Sequence, residues 1–297
     1  MIQQNHYTTQ IYWDEVLEEI RCSSPIEIWR AYMRRVYKRL LQDWLPIGNP
    51  GRGLKTDLFE EAVSDHHLLP DLGPGSVGLD HSSAIVQAAR HRLLGKDGGS
   101  LFVVGDLRQI PLKSETVKYI LAGSSLDHFP DKADIAKSLA ELVRILAPGG
   151  ILIITLDNPH NPIVWLRNHL PFTWLNRLHL VPYYVGATYN LIEARHQLEA
   201  LGLIVTHVTA VSHVPRAPAI WLLTLLERLG WKVLEAPMER ILDSFESLER
   251  WSIRYQTGYY LALRAEKQAR LAEKRTFLLD EAMQSTSRSY AEEGVQT

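Results

Sequence analysis

Three aspartates in the first half of the sequence come directly after short apolar segments. Asp57, Asp80 and Asp106 follow the segments GLKT, SVGL and LFVVG. A carboxylate at the end of a strand can accept hydrogen bonds from both hydroxyls of a ribose, and each such bond contributes about 1.5–3 kcal/mol. Any one of these aspartates could instead cap a helix or form a turn. Because the three follow successive strands, we expect a site for a nucleoside.

The segments around these aspartates resemble those of class I S-adenosylmethionine-dependent methyltransferases of the small-molecule branch. Four segments carry the resemblance: VGLDHS at 77–82, GDLRQIPL at 105–112, SSLDHFPD at 124–131 and ELVRILAPGG at 141–150. The resemblance covers residues 52–157 and implies S-adenosyl-L-methionine as the cofactor. The cofactor-binding residues that we expect are Thr56, Asp57, Asp80, His81, Asp106, Leu107 and Ser124.

The first motif departs from the family pattern. Members place an acidic residue and three glycines between the first strand and its helix, whereas this chain has KTDLFEEA at 55–62. Glycine allows close approach of the backbone and a positive φ. Either Thr56 and Asp57 hold the methionine end of the cofactor, with Asp57 at its ammonium group, or the protein is catalytically silent and acts as a binding or assembly partner. The missing glycines also argue against a dinucleotide dehydrogenase.

The chemistry that the resemblance implies is an in-line displacement, in which the protein aligns the reacting atoms and excludes water. A general base helps when the acceptor is a hydroxyl, an amine or an acidic carbon. His128 follows the fourth predicted strand and has an ordinary pKa near neutrality, so we expect it to be that base. The alternative is that His128 only packs within its loop.

The segment after the fifth predicted strand is rich in aromatic residues and histidine. Members of the family differ most here, so we expect His160, Trp165, Tyr183 and Tyr184 to bind the acceptor. The aromatic density suggests an apolar or ring-containing small molecule, although aromatic side chains also fill ordinary cores.

The elements that must position these residues are strands that alternate with helices. This pattern predicts an α/β fold, a doubly wound, seven-stranded, mostly parallel sheet with helices on both faces, which is the Rossmann-like methyltransferase fold. The predicted strands lie near 53–59, 76–80, 101–106, 117–122, 151–155, 203–208 and 259–265. The predicted domains are an N-terminal helical cap at 1–45, the methyltransferase domain at 46–266 with an irregular acceptor-side insertion at 157–188, and a charged, partly disordered tail at 267–297.

The cap is predicted to be a helix over residues 11–45 with a basic face. Apolar residues recur every four positions, and arginines and lysines occupy positions 30–39 between them. The basic face either is solvated, or belongs to a lid over a pocket or to a contact with an anionic surface.

Composition and charge indicate an ordinary globular protein. The 297 residues carry a net charge of -2 and a single cysteine, Cys22, so no internal disulfide or thiolate zinc site is expected. Nucleic acid is not expected as a partner. The sequence lacks a signal-peptide pattern and a transmembrane segment, and we expect a cytoplasmic location. A peripheral membrane contact and a homodimer stay open as partner predictions, and no metal is expected.

Overall fold

The fold is described here from a computed structural model, which covers residues 9–22, 27–46, 48, 51–95, 99–177, 181 and 183–269. The α-helices are α1 Gln10–Cys22, α2 Glu27–Trp44, α3 Phe59–Val63, α4 Ser83–Leu93, α5 Lys132–Ile145, α6 Pro162–His169, α7 Phe172–Arg177, α8 Leu191–Ala200, α9 Arg216–Arg228, α10 Glu235–Phe245 and α11 Arg254–Thr257. The strands are β1 Gly53–Thr56, β2 Val77–Asp80, β3 Leu101–Val104, β4 Val117–Gly123, β5 Leu146–Asp157, β6 Leu203–Val211 and β7 Tyr260–Lys267.

The strands form one seven-stranded sheet in the order β3-β2-β1-β4-β5-β7-β6. The first five strands in this order are parallel neighbours, and β7 runs antiparallel to both β5 and β6. The order reverses between β1 and β4, and ligands of open α/β sheets bind at such a switch point. This arrangement agrees with the predicted doubly wound, mostly parallel sheet.

Polar side chains fix where the helices that follow the strands begin. Ser82 precedes α4 and its hydroxyl accepts from the amide of Ile85 at 3.0 Å. Asp131 caps α5 in the same way by accepting from the amide of Asp134 at 2.9 Å. Such caps satisfy amides that have no partner within the helix, and each contributes about 0.5–2 kcal/mol.

The N-terminal helices pack on the sheet as part of the core. Helices α1 and α2 lie within the predicted helix over 11–45, and the part of that prediction at 23–26 lies outside the described residues. Helix α2 buries Tyr32, Val36 and Leu40 in one apolar cluster with Tyr119 and Ile153 of the central strands. Burial of each such aliphatic side chain stabilises the fold by about 1.5–3 kcal/mol.

The insertion after β5 is more regular than predicted. It contains helices α6 and α7, and Asn161 caps α6 by accepting from the amide of Ile163 at 2.9 Å. The amide nitrogen of Asn161 also donates to the carbonyl oxygen of Thr257 at 2.9 Å, which ties the insertion to the segment before β7. The domain boundaries of the sequence stay a prediction, and the tail from residue 270 onward lies outside the described residues.

Among the described helices, none combines the length and the hydropathy that a membrane span requires.

Candidate functional site

A cavity of about 230 Å³ opens at the carboxyl ends of β1, β2, β3 and β4. Its wall includes Asp57, Asp80 and Asp106, which are the three aspartates that the sequence placed at strand ends. His81, Leu107, Ser124 and His128 lie on the same wall. The parallel strands bring these residues together because their carboxyl ends meet at one edge of the sheet.

Asp80 joins the loops after β1 and β2. Its Oδ2 accepts from the amide of Leu58 at 2.8 Å, and its Oδ1 accepts from the amide of Ser82 at 2.9 Å. Burial and the neighbouring charge of Asp57 raise the pKa of Asp80 to about 7. A carboxylate offers about four lone pairs, so Asp80 keeps acceptor capacity for two further hydroxyl donors.

Asp57 occupies the turn where the family pattern has glycine. Its φ is 65°, in the left-handed region that aspartate tolerates better than most residues. Its Oδ1 accepts from the amide of Phe59 at 2.8 Å, at the start of α3. Burial raises the pKa of Asp57, while the ammonium of Lys55 opposes this rise. The turn therefore forms without glycine because a local hydrogen bond stabilises it.

A buried ion pair between Lys55 and Glu61 stabilises this turn. No motif in the sequence indicated this pair. The ammonium of Lys55 lies 2.8 Å from Oε2 of Glu61 and also donates to the carbonyl oxygen of Asp57. Oε1 of Glu61 accepts from the amides of Leu68 and Leu69 at 3.1 and 3.2 Å. Burial lowers the pKa of Lys55, but the charges of Glu61 and Asp57 outweigh it and raise this pKa overall.

Asp106 is held by the arginine that follows Leu107. Its Oδ1 accepts from the amide of Arg108 at 2.8 Å, and its Oδ2 accepts from the guanidinium at 2.7 Å. Arg108 also pairs with Asp134 at 2.8 Å. Burial works against ionisation of Asp106, but the hydrogen bonds from Arg108 prevail and lower its pKa. Asp106 is therefore a fixed anion at the far end of the cavity from β4.

Tyr37 of α2 covers the ends of β4 and β5. Its hydroxyl lies 3.2 Å from Oγ of Ser124 and 2.8 Å from Oγ1 of Thr155. Ser124 has a φ of 50°, and its amide donates to Thr155 Oγ1 at 3.0 Å. The structure places Thr56 behind this wall rather than on it, because its hydroxyl is fully buried against Oγ of Ser125 at 2.7 Å. Thr56 therefore shapes the turn and does not face the cavity.

His128 lies on the cavity wall between two aromatic rings. Its ring centroid is 4.6 Å from that of Trp13 and 5.6 Å from that of Tyr183, both in edge-on arrangements. Nδ1 donates to the carbonyl oxygen of Tyr184 at 3.1 Å, which leaves Nε2 as the acceptor nitrogen. Burial lowers the pKa of His128 below its ordinary value. The ring is therefore neutral near pH 7 and can accept a proton at Nε2.

Arg216 and two tyrosines form the part of the wall beyond His128. The guanidinium of Arg216 lies 3.3 Å from the hydroxyl of Tyr183 and 3.4 Å from that of Tyr260. It also lies over the ring of Tyr259 at 5.5 Å. Because β7 runs antiparallel to its neighbours, its first residue reaches the same edge of the sheet as the ends of the parallel strands.

The structure does not bring three of the four expected acceptor-binding residues to this cavity. Tyr183 lines it, but His160, Trp165 and Tyr184 do not. His160 is exposed in the turn before α6, and the ring of Trp165 lies against His169 at 4.2 Å on the outer face of that helix. Helix α6 buries Val164 and leaves Trp165 53% exposed, so the ring of Trp165 lies on the side of the helix away from the core. Tyr184 packs on Phe172 beside a second, smaller cavity.

The N-terminal helices supply wall residues that the sequence analysis did not assign. Trp13 of α1 and Arg30, Met33 and Arg34 of α2 line the cavity. The basic face of α2 was the feature of the sequence that could have indicated these wall residues. Because Arg30 and Arg34 line the cavity, they fit the interpretation of this face as part of a lid over a pocket better than its interpretation as a solvated face. Arg30 pairs with Glu60 at 2.6 Å, and Arg34 pairs with Asp71 at 3.1 Å.

Comparisons with known proteins identify the segment that holds the cofactor-side motifs. Residues 64–154 match the family described as Methyltransferase domain. The chain is 35% identical over 100 residues to phthiotriol/phenolphthiotriol dimycocerosates methyltransferase 1 of Mycobacterium ulcerans, covering 33% of this chain and 34% of that protein. It is 33% identical over 115 residues to the corresponding enzyme of Mycobacterium tuberculosis, covering 38% and 40%. The matches thus span about a third of the length of these relatives.

Solved structures share the fold over most of the chain. A methyltransferase of Methanosarcina mazei has a TM-score of 0.51 at 12% identity, covering 78% of this chain and 98% of that chain. An N-methyltransferase of Haemonchus contortus, solved with phosphomonomethylethanolamine and S-adenosylhomocysteine, has a TM-score of 0.50 at 16% identity, covering 78% and 52%. Together with the observed strand order, these likenesses confirm the predicted fold class.

Proposed function

We propose that this protein, whose residues 64–154 match the family described as Methyltransferase domain, is a class I S-adenosylmethionine-dependent methyltransferase that transfers a methyl group from S-adenosyl-L-methionine to an apolar, lipid-like small molecule. One observation carries the proposal: Asp80 and Asp106 lie on the wall of the same cavity at the switch point of the sheet. We infer that a nucleoside laid across the ends of β2 and β3 meets both carboxylates.

The cofactor side of the cavity fits the chemistry of the proposed ligand. Asp80 accepts the ribose hydroxyls, and Asp106 with the amide of Leu107 meets the adenine edge. Asp57 takes the ammonium group of the methionine end, and its negative charge favours a nearby sulfonium. His81 and Ser124 complete this side of the wall. The bound cofactor supplies an activated methyl group, and the residues on this side of the cavity bind it, orient it and exclude water.

The acceptor side carries the residues suited to proton removal from an apolar molecule. Trp13, Tyr183 and Phe129 line this part of the wall together with His128. Nε2 of His128 takes the proton that the acceptor atom loses when it is methylated. The hydrogen bond from Nδ1 to the carbonyl oxygen of Tyr184 fixes the ring in the tautomer that this role needs.

A lipid-like acceptor has one support beyond the aromatic wall. The curated relatives are named for dimycocerosate substrates of the phthiotriol type. The peripheral membrane contact, the homodimer and the cytoplasmic location stay predictions of the sequence.

Binding of S-adenosylhomocysteine tests the cofactor assignment. We expect calorimetry to give one site with a micromolar or lower dissociation constant. Asp80→Ala should weaken binding by about 10- to 150-fold, because it removes a charged acceptor of ribose hydroxyls. Asp80→Asn removes the charge and keeps one oxygen, so only one of the two amides of Leu58 and Ser82 retains its acceptor.

Asp43→Ala is the matched control, because Asp43 is an exposed residue of α2 outside the cavity wall. Its affinity for S-adenosylhomocysteine should equal that of the natural protein. If the natural protein shows no binding at all, the catalytically silent alternative replaces our proposal, and the glycine-free turn at Asp57 is then its structural basis.

The pKa of Asp80 predicts how cofactor affinity depends on pH. In the free protein this pKa is about 7. Ribose hydroxyls donate to the ionised form, so binding favours loss of the proton and weakens as the pH falls through 7, by up to about tenfold per unit below it. Calorimetry of S-adenosylhomocysteine between pH 8 and pH 6 should show this slope, and Asp80→Ala should remove it. Equal affinity of the natural protein at both pH values would contradict the ribose role of Asp80.

A further inference from the structure

Arg216 differs from the other cationic side chains that line the cavity. Lysine or arginine side chains at four other wall positions each pair with a carboxylate: Lys55 with Glu61, Arg30 with Glu60, Arg34 with Asp71 and Arg108 with Asp106. Within the part of the chain that the structure describes, Arg216 has only tyrosine hydroxyls and a tyrosine ring as partners. Its positive charge is therefore not neutralised by the residues around it.

The surroundings of Arg216 add positive electrostatic potential and do not offset the charge of its guanidinium. Arg216 is the first residue of α9, which spans 13 residues and has no acidic residue in its first turn. Pro215 precedes the helix and provides no side-chain cap. The start of a helix carries a partial positive charge because its first amides lack partners within the helix. A guanidinium at this position is costly unless an anion approaches it.

The neighbours of Arg216 are suited to an anion with several oxygens. A guanidinium presents five N–H donors in a planar fork that matches carboxylate and phosphate groups. The hydroxyls of Tyr183 and Tyr260, at 3.3 and 3.4 Å, are two further donors at the same place. This group of donors lies close to His128, because Tyr183 contacts both Arg216 and the ring of His128.

We propose that the acceptor carries an acidic group, a carboxylate or a phosphate, which binds to Arg216 and to the hydroxyls of Tyr183 and Tyr260. This inference rests on the proposed function, which it extends by naming the substrate class as an anionic amphiphile. The acidic group and the methylated atom lie on the same side of the acceptor, because Arg216 and His128 share one wall of the cavity. The apolar remainder contacts Trp13 and Phe129.

Calorimetry with short-chain probes tests the subsite without knowledge of the natural acceptor. Octanoate and octyl phosphate are the acidic probes, and 1-octanol is the neutral probe of equal chain length. Both acids, or the one with the matching head group, should bind at least about tenfold more tightly than the alcohol. This factor corresponds to the free energy of one charge-assisted hydrogen bond. The stronger of the two acids identifies the head group as a carboxylate or a phosphate.

Variants of Arg216 connect this preference to the guanidinium. Arg216→Gln should weaken binding of the acids by about 10- to 150-fold and leave binding of 1-octanol unchanged. Arg216→Lys keeps the charge but not the fork, so it should recover part of the loss. Arg228→Gln removes the same charge from the other, exposed end of α9 and should leave both affinities unchanged. Thermal unfolding of each variant establishes that the fold is intact.

Three results would overturn the inference: equal binding of alcohol and acids, acid binding unaffected by Arg216→Gln, or a parallel loss of S-adenosylhomocysteine affinity in Arg216→Gln. The last result would assign the guanidinium to the carboxylate of the cofactor. Failure of the proposed function is separate and recognisable. If the acids bind through Arg216 while S-adenosylhomocysteine does not bind, then the subsite is supported and the methyltransferase proposal is not.

Discussion

His128→Ala should lower kcat for methyl transfer by about 100- to 10,000-fold, the range that positioned general bases contribute. The reason is the geometry at Nε2: the ring is neutral, its tautomer is fixed by the carbonyl oxygen of Tyr184, and it lies on the wall beside Tyr183. The acceptor for this assay comes from a mass-spectrometric screen of anionic amphiphiles for a gain of one methylene equivalent. Release of S-adenosylhomocysteine then measures the rate.

The pH–rate profile distinguishes a base from a packing residue. Burial lowers the pKa of His128 below 6.5, and the neutral form is the active one. The rate should therefore rise with pH, with a midpoint below pH 6.5, and should not change at higher pH. In His128→Ala the rise of the rate with pH should be absent. His196→Ala, on the exposed face of α8, is the control and should keep the natural rate. A natural rate in His128→Ala would remove His128 as the base.

Lys55→Met should lower the free energy of unfolding by about 3–5 kcal/mol, because it leaves the buried carboxylate of Glu61 without its counterion. The exposed fractions of the two side chains are 9% and 0%. The double variant Lys55→Met/Glu61→Gln removes both charges and keeps an oxygen for the amides of Leu68 and Leu69. It should recover most of the loss. Urea unfolding at constant m-value is the measurement.

An exposed ion pair provides the comparison for this stability effect. Lys132 and Glu193 lie 2.8 Å apart, with exposed fractions of 48% and 39%. Lys132→Met should change the free energy of unfolding by no more than about 1 kcal/mol, since solvent screens the pair. Equal effects of Lys55→Met and Lys132→Met would contradict a charged, buried pair beneath the turn at Asp57.

The parts of the fold and site that follow local patterns could be predicted from the sequence. Continuous apolar segments marked the strands, and Asp80 is the last residue of β2 while Asp106 follows β3 by two residues. His128 could be placed on the wall for the same reason, since it follows β4 by a few residues. Parallel strands with right-handed crossovers then leave one edge for all of these residues.

Features that depend on long-range packing could not be predicted in the same way. Trp165 was expected at the acceptor because it is aromatic, but composition does not specify which side of a helix faces the cavity. Arg216 follows a proline in an apolar segment, and only the fold brings it to Tyr183 and Tyr260. The pair of Lys55 and Glu61 spans six positions across a turn whose shape local propensities do not determine.

The wall of the cavity comes from two distant parts of the sequence, and the reversed direction of β7 brings Tyr260 of the later part to it. Residues that surround the proposed nucleoside come from positions 55–108, whereas Arg216 and Tyr260 come from more than a hundred positions later. Mutations in the later part can change the chemical group that is recognised without disturbing the earlier part. Selection could therefore alter substrate preference in this lineage while binding of the proposed methyl donor stays constant.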